Sequence, residues 1–249
     1  MDAVRGSRVR SVAARAAEQL SSEATELDVR PGTARALFLF PLVGSIVVAL
    51  LRLYKPLFSF LADEDSFLEW LEFLGYAGTA GLAGVNAFAL RRRGLRLAAM
   101  GWFGVAAACL FIAGEEISWG QRILGFHTPD ELAEINRQGE ANIHNIKSIQ
   151  DALNYGFLIA AVYGVAVPWA YRQRLGPPEN NARFLLPPLF LTSAFLILGG
   201  YKLLRLTLIP RGRYTITKYG EWVEFLFTYA LLAFAAVTMR LVRNERNPG

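Results

Sequence analysis

The stretch Leu97-Ala98-Ala99-Met100-Gly101-Trp102-Phe103-Gly104-Val105-Ala106-Ala107-Ala108-Cys109-Leu110-Phe111-Ile112-Ala113-Gly114 is an unbroken apolar run of eighteen residues, closed by Arg96 on one side and by Glu115-Glu116 on the other. A helix of about 20 such residues crosses about 30 Å of hydrocarbon. The run therefore reads as a membrane span, and it decides the fold because comparable blocks recur on both sides of it. Six helices are predicted, at 36–53, 67–90, 97–122, 153–172, 185–206 and 221–240. Composition agrees: of 249 residues 53% are apolar and 19% charged, with mean hydropathy +0.30, which excludes an ordinary soluble domain and a disordered chain. The fold class expected is an all-α polytopic membrane protein.

Charge supplies the orientation. Twenty-two of the 26 cationic residues are Arg, against 21 acidic residues. Sixteen of the 26 fall in the N-terminus, the loops near Arg91 and Arg172, and the tail, and ten fall on the opposite side. Loops rich in Lys and Arg stay in the cytoplasm, so both termini are expected inside, in a bacterial inner membrane, with the first span an uncleaved signal. The same bias accounts for the net charge of +5 without a nucleic-acid partner. Cys109 is the only cysteine, so neither an intrachain disulfide nor a cysteine-based metal motif is available.

The expected organisation is a cytoplasmic segment 1–35, a membrane domain 36–240 with an outer loop at 123–152, and a tail 241–249. In the first segment Val9, Val12, Ala13, Ala16 and Leu20 recur at helical spacing, which describes a helix on the cytoplasmic leaflet or a plain solvated one. Gly75, Gly78, Gly81 and Gly84 line the second span as a small-residue packing face. Leu50-Leu51-Arg52-Leu53 precedes Glu69-Trp70-Leu71-Glu72-Phe73-Leu74 by about the distance that separates Leu203-Leu204-Arg205-Leu206 from Glu221-Trp222-Val223-Glu224-Phe225-Leu226. Either a parallel repeat of helices 1–2 and 5–6 or local convergence accounts for this. Both hairpins return their glutamates to the depth of an arginine, so pairing of these four carboxylates with Arg52 and Arg205 is expected; Ser66 with Glu69 also fits a capping box.

Gly114 to Ile146 is dense in polar residues. Glu115 and Glu116 end an apolar helix, where a carboxylate needs a partner or water. With the helix continued to 122, Glu115, Ser118 and Arg122 share one face, and Arg122, Lys202 or Arg205 are the available partners. Thr128-Pro129-Asp130-Glu131 predicts a short helix over 129–138, which Gly139 would end. Ser148 with Asp151 resembles a capping box for the fourth span, and Glu140 and His144 share a face if 140–144 is helical.

Glu115-Glu116-Ile117-Ser118-Trp119-Gly120-Gln121-Arg122 followed by Asn136-Arg137-Gln138-Gly139-Glu140-Ala141-Asn142-Ile143-His144-Asn145 resembles a signature carried by a group of bacterial polytopic membrane proteins to which no activity is assigned. The resemblance covers about thirty residues of the chain. It implies the membrane class and marks this loop as the region of interest, and it implies no reaction.

His127 and His144, the only histidines, lie in this loop beside carboxylates. His144, Glu140 and Glu116, with His127, would suit a divalent transition metal, although no standard ligand spacing is present. Metal-free acid–base chemistry would use His144 with Glu115, Glu116 or Glu140. Gln121, Arg122, Asn142, Asn145, Arg205, Arg211 and Arg213 are then candidates for substrate binding, the arginines for an anionic lipid headgroup. The plainer alternative is a polar network that pins the loop or docks a partner. Three functions follow: an enzyme for a lipid or lipid-linked substrate, a noncatalytic subunit of a larger membrane assembly, or a transporter.

Overall fold

The computed structural model describes residues 14, 17–62, 67–136, 139–208 and 214–244; the side chains of Arg122 and of residues 214–216 lie outside that description. Its helices are α1 (17–26), α2 (Pro31–Leu51), α3 (Lys55–Ala62), α4 (Phe67–Arg92), α5 (Arg96–Glu116), α6 (Gln121–Leu124), α7 (Asp130–Ile135), α8 (Lys147–Leu175), α9 (Asn180–Leu185), α10 (Thr192–Thr207) and α11 (Tyr214–Asn244). Among the described residues there is no strand, and one isolated bridge joins Asn136 to Ile146.

Six segments are long and apolar enough to cross a membrane: Pro31–Leu51, Lys55–Arg92, Arg96–Glu116, Lys147–Leu175, Asn180–Thr207 and Thr217–Asn244. The all-helical architecture with six apolar helices of span length expected from the sequence is thus present. Val43, Ile46 and Leu50 on α2, Met100 and Leu110 on α5, and Ile159 on α8 are each more than half exposed. Spread over so many helices, such surface exceeds what a water-soluble monomer leaves bare, and hydrocarbon is its natural solvent. The fourth and sixth helices run past their predicted limits, and α8 continues through Pro168. The fifth does not form one helix over 185–206. Pro187 and Pro188 interrupt it, because proline lacks a donor N–H and drives the preceding residue out of helical geometry, so α9, a short 3-10 turn at Leu189–Leu191 and α10 follow in series.

α4 is the central helix, packed along α5 on one side and α11 on the other. Its glycine face permits the second contact. A Cβ at Gly75 would overlap the Thr228 methyl group and one at Gly78 would touch Leu232, while Gly81 and Gly84 have open space beside them. Asn86 Nδ2 donates to the Ala235 carbonyl across the same interface at 2.9 Å, while its buried Oδ1 has no hydrogen-bond partner among the described residues. α10 packs on α8, α11 and α2. The two sequence hairpins are not packed alike, since α10 lies on α11 whereas α2 has at most marginal contact with α4. A repeat of hairpins is therefore not mirrored in the packing.

α1 lies against the bundle and is fastened by charge. Glu23 is buried; its two oxygens accept from Arg172 Nη2 and from the Leu189 N–H, each at 2.7 Å. Burial pushes the Glu23 carboxyl above its ordinary value, against the pull of Arg172 and the N–H groups of Leu189 and Phe190. Glu26 shares Arg172, and Asp28 accepts from Arg240 and Asn244. Leu20 packs at the edge of the core while Ala24, Leu27 and Val29 are buried in it, so these residues dock on protein and not on a leaflet. Val9, Val12, Ala13 and Ala16 lie outside the described residues. The contacts of Asp28 put α1 and the end of α11 at one end of the bundle, while residues 117–136 and 139–146 lie at the other.

Candidate functional site

The site is built on the abrupt end of α5. Helix continuation to 122, expected from the sequence, does not occur. Ile117 caps α5, and Ser118 and Trp119 follow in left-handed conformation with φ of 47° and 53° before Gly120 at 90°. Two consecutive non-glycine residues in that region carry backbone strain, and their side chains are what hold them there. Trp119 folds back over Gly114, whose missing Cβ leaves room for the indole, and its Nε1 donates to Glu115 Oε1 at 2.5 Å. Ser118 is buried and donates to Glu140 Oε2 at 2.6 Å.

Glu115, 2% exposed, is the anchor of the loop. Its second oxygen accepts from the backbone N–H of Ile143 at 2.7 Å and of His144 at 2.9 Å, and His144 Nδ1 lies 3.5 Å away, an ionic approach without a hydrogen bond. Backbone donors thus compensate this buried charge, in place of the Lys202 or Arg205 that the sequence suggested; the side chain of Arg122, the third candidate, lies outside the described residues. Around it the amides interlock. Asn142 Nδ2 donates to Glu140 Oε2 and Ser118 Oγ, Asn136 Nδ2 to the carbonyl and Oδ1 of Asn142, and Gln121 Oε1 accepts from the Ala141 N–H. Residues 139–146 are extended and turned, so Glu140 and His144 do not share a helix face. α7 stops at Ile135, short of the predicted 138, because Asn136 is drawn into the Asn142 clamp. The expected caps are also replaced: Thr128 accepts from Gln121 Nε2, and Asp151 pairs with Lys147 at 2.8 Å and leaves Ser148 no partner as a capping box. Ser66 lies outside the described residues.

His144 is the part of this network that reaches outward, with a side chain 31% exposed. Burial disfavours its charged form, but the contact with Glu115 and the negative charges of Glu116 and Glu224 outweigh that and hold the imidazole above the ordinary histidine value. Glu116, half-buried, points the other way round the helix from Glu115. It joins a second group that the pairing of hairpins did not anticipate. Glu72 is buried, one of its oxygens has no hydrogen-bond partner among the described residues, and the charges acting on it are those of Glu116, Glu221, Glu224 and Glu69. The contact of α4 with α11 creates this acidic group. Lys202 answers it in part, its Nζ donating to Glu224 Oε1 at 2.7 Å and to Asn154 Oδ1 at 3.1 Å.

Of the sequence-derived site residues, Glu115, Gln121, Glu140 and Asn142 meet in the loop clamp, and Asn145 is buried beside them. Glu116 and His144 stand between the clamp and the inner carboxylates. Arg205 lines a separate polar pocket. His127 is exposed, and Glu140 is turned toward Ser118 and Asn142 and away from His144, so the ligand set proposed for a divalent metal is not assembled; no three His, Cys, Asp or Glu side chains converge as a metal site among the described residues. Arg211, Arg213 and the side chain of Arg122 lie outside the described residues. Sequence reasoning missed the structural parts of Trp119, Asn136 and Asn154; an asparagine in the first turns of an otherwise apolar span was the available signal for the last. Comparison with protein-family models, curated proteins and solved structures finds no match to this chain.

Proposed function

We propose that the protein is a bacterial inner-membrane enzyme whose loop end faces the periplasm and carries out acid–base chemistry on a lipid or lipid-linked substrate. The observation that carries this reading is the pairing of a buried, rigidly held carboxylate with a half-buried imidazole. Glu115 is a positioning residue: three N–H donors fix it, and its charge faces His144 Nδ1. Nδ1 faces the Glu115 carboxylate at 3.5 Å without a hydrogen bond in this state; protonation of the imidazole draws the two together, and the other ring nitrogen of His144 is the proton acceptor. Glu116 is the second carboxyl group within the same electrostatic field. The topology with both termini in the cytoplasm rests on the arginine bias of the loops.

The test is lipid analysis of membranes expressing the wild-type chain or His144→Gln. Expected is one lipid class that changes with the wild type and not with the variant, while both proteins extract as monodisperse species. An identical change with His144→Gln, or none with the wild type, overturns the reading. A second reading, a noncatalytic subunit, is favoured by the saturation of Glu115, Ser118, Glu140, Asn136 and Asn142 within the loop itself. It predicts a stoichiometric membrane partner in gentle extracts, lost when the clamp is broken.

A further inference from the structure

α5 and α8 have at most marginal contact, and an apolar cavity of about 310 Å³ lies between them with α11 behind it. Leu185 fits against Gly101 of α5 and Phe195 against Gly164 of α8, where a Cβ would overlap them, and both side chains line the cavity. Phe227 and Leu231 form its back and are only half-buried, although α4 and α10 both pack on α11. Glu224, Phe227, Leu231 and Phe234 recur at i, i+3, i+7 and i+10, one face of that helix. Over ten residues the face runs about 15 Å, half of a hydrocarbon core of about 30 Å and so the reach of one leaflet.

Polarity changes along this face. At the loop end Glu224 accepts from Lys202, whose Nζ lies 4.4 Å from the centre of the Phe157 ring. Phe157 meets Phe227 edge-on at 5.4 Å, and beyond that pair the lining is apolar. At the far end Trp102 packs on Phe234 at 4.9 Å. The polar groups of the lining side chains are turned into backbone carbonyls there: Trp102 Nε1 donates to Phe184 at 2.9 Å and Tyr163 OH to Leu185 at 2.7 Å. A polar ligand would therefore lose its hydrogen bonds on entering. One turn of a helix, about 5.4 Å long and 10 Å across, occupies about 400 Å³, more than the whole cavity, so a partner helix does not fit.

A hydrocarbon chain does. We propose that the crevice between α5 and α8 holds one chain of the lipid or lipid-linked substrate, with the chain end against Trp102 and the polar end beside Glu224, whose charge also acts on His144. The chain then enters from the leaflet at the loop end and delivers its polar end to the imidazole. This rests on the lipid reading above and adds to it where the substrate lies and which way it points.

The experiment is photolabelling of the detergent-purified full chain with two phosphatidylglycerol probes, one carrying a diazirine at the end of an acyl chain and one carrying it beside the carbonyl, with unlabelled phosphatidylglycerol as competitor. Expected is saturable labelling in which the chain-end probe marks the residues around Trp102 and Phe184 and the carbonyl-side probe marks those around Phe157, an order that needs no variant. Ala160→Trp, which places an indole in the cavity, should cut this labelling about tenfold. Ala160→Ser should leave it unchanged, as should Val47→Trp in the apolar groove between α2 and α4. Labelling that is as strong on the bare Val43 and Ile46 of α2 and is not displaced by competitor is ordinary boundary lipid and overturns the proposal. So does labelling that survives Ala160→Trp, or the reverse order of the two probes. His144→Gln separates the proposal from the acid–base reading. Labelling kept by that variant, with no lipid class altered by the wild type, leaves the chain site standing and overturns the enzyme; a lipid class altered by the wild type with no saturable labelling of the crevice does the reverse.

Discussion

The two ends of the helical bundle handle buried charge in opposite ways. At the end that carries α1, carboxylates meet guanidinium groups: Glu23 and Glu26 share Arg172, and Asp28 has Arg240. At the loop end Glu115 is compensated by N–H dipoles, Glu72 has an oxygen with no hydrogen-bond partner among the described residues and feels the charges of Glu116, Glu221, Glu224 and Glu69, and the buried ammonium of Lys202 bonds Glu224. Ion pairs of the first kind fasten one element to another. A buried carboxyl group with an oxygen outside any hydrogen bond, as in Glu72, costs stability, and such groups are found where a protein binds or reacts. The comparison teaches that the density of charged residues marks neither end as the site; the way each charge is compensated does.

Substitution can break that contrast. The largest effect is expected from Glu115→Ala, which strips the partners from the Trp119 indole and from the Ile143 and His144 N–H groups; at roughly 1–3 kcal/mol for each orphaned donor the loss is about 4 kcal/mol. Thermal melting in detergent together with amide exchange over 139–146 checks it, and a small loss with unchanged protection would show that Glu115 is not the anchor. Arg172→Met leaves Glu23 buried without its cation, at a cost of about 3 kcal/mol. If this end is a fastening, Glu23→Gln in the same chain should restore most of the melting temperature, whereas Glu115→Gln should not restore a loop that needs two accepting oxygens.

Gly75→Val drives a side chain into Thr228 and should cost about 2 kcal/mol by forcing α4 off α11; an unchanged melt would remove the helix contact that gathers the acidic group. The smallest effect is that of pH. His144 titrates above its unfolded value, so its contribution to stability is complete below about pH 6.5 and is lost as pH rises through the higher folded value. The wild type should lose melting temperature over that window relative to His144→Gln, and parallel profiles would mean that the imidazole and Glu115 are not coupled.

Much of this was legible in the chain. Apolar runs of span length are a local property, so six crossings follow from composition and spacing, and the polar run from Glu115 to His144 stands out against them. The loop conformation was not legible. Helical spacing suggested that Glu115, Ser118 and Arg122 share a face, but two left-handed residues at Ser118 and Trp119 end the helix, and the bonds that hold them come from Glu140, twenty-two positions away, and from Glu115. Nor was the gathering of Glu72 with Glu221 and Glu224 legible from hairpins, which predict pairing within each hairpin; α4 meets α11 because Gly75 admits Thr228.

By itself the sequence determined the number of apolar helices of span length and marked the polar stretch between the third and the fourth, since both depend on residues close together along the chain. Which of two adjacent glutamates turns inward depends on how far a helix is rotated about its axis, and neighbours differ by about 100°. That rotation is set by the packing of α5 on α4 and by the loop folded onto its end. Tertiary structure therefore buried Glu115 as an anchor, left Glu116 facing the acidic group, and turned a run of polar letters into a clamp with a single imidazole at its edge.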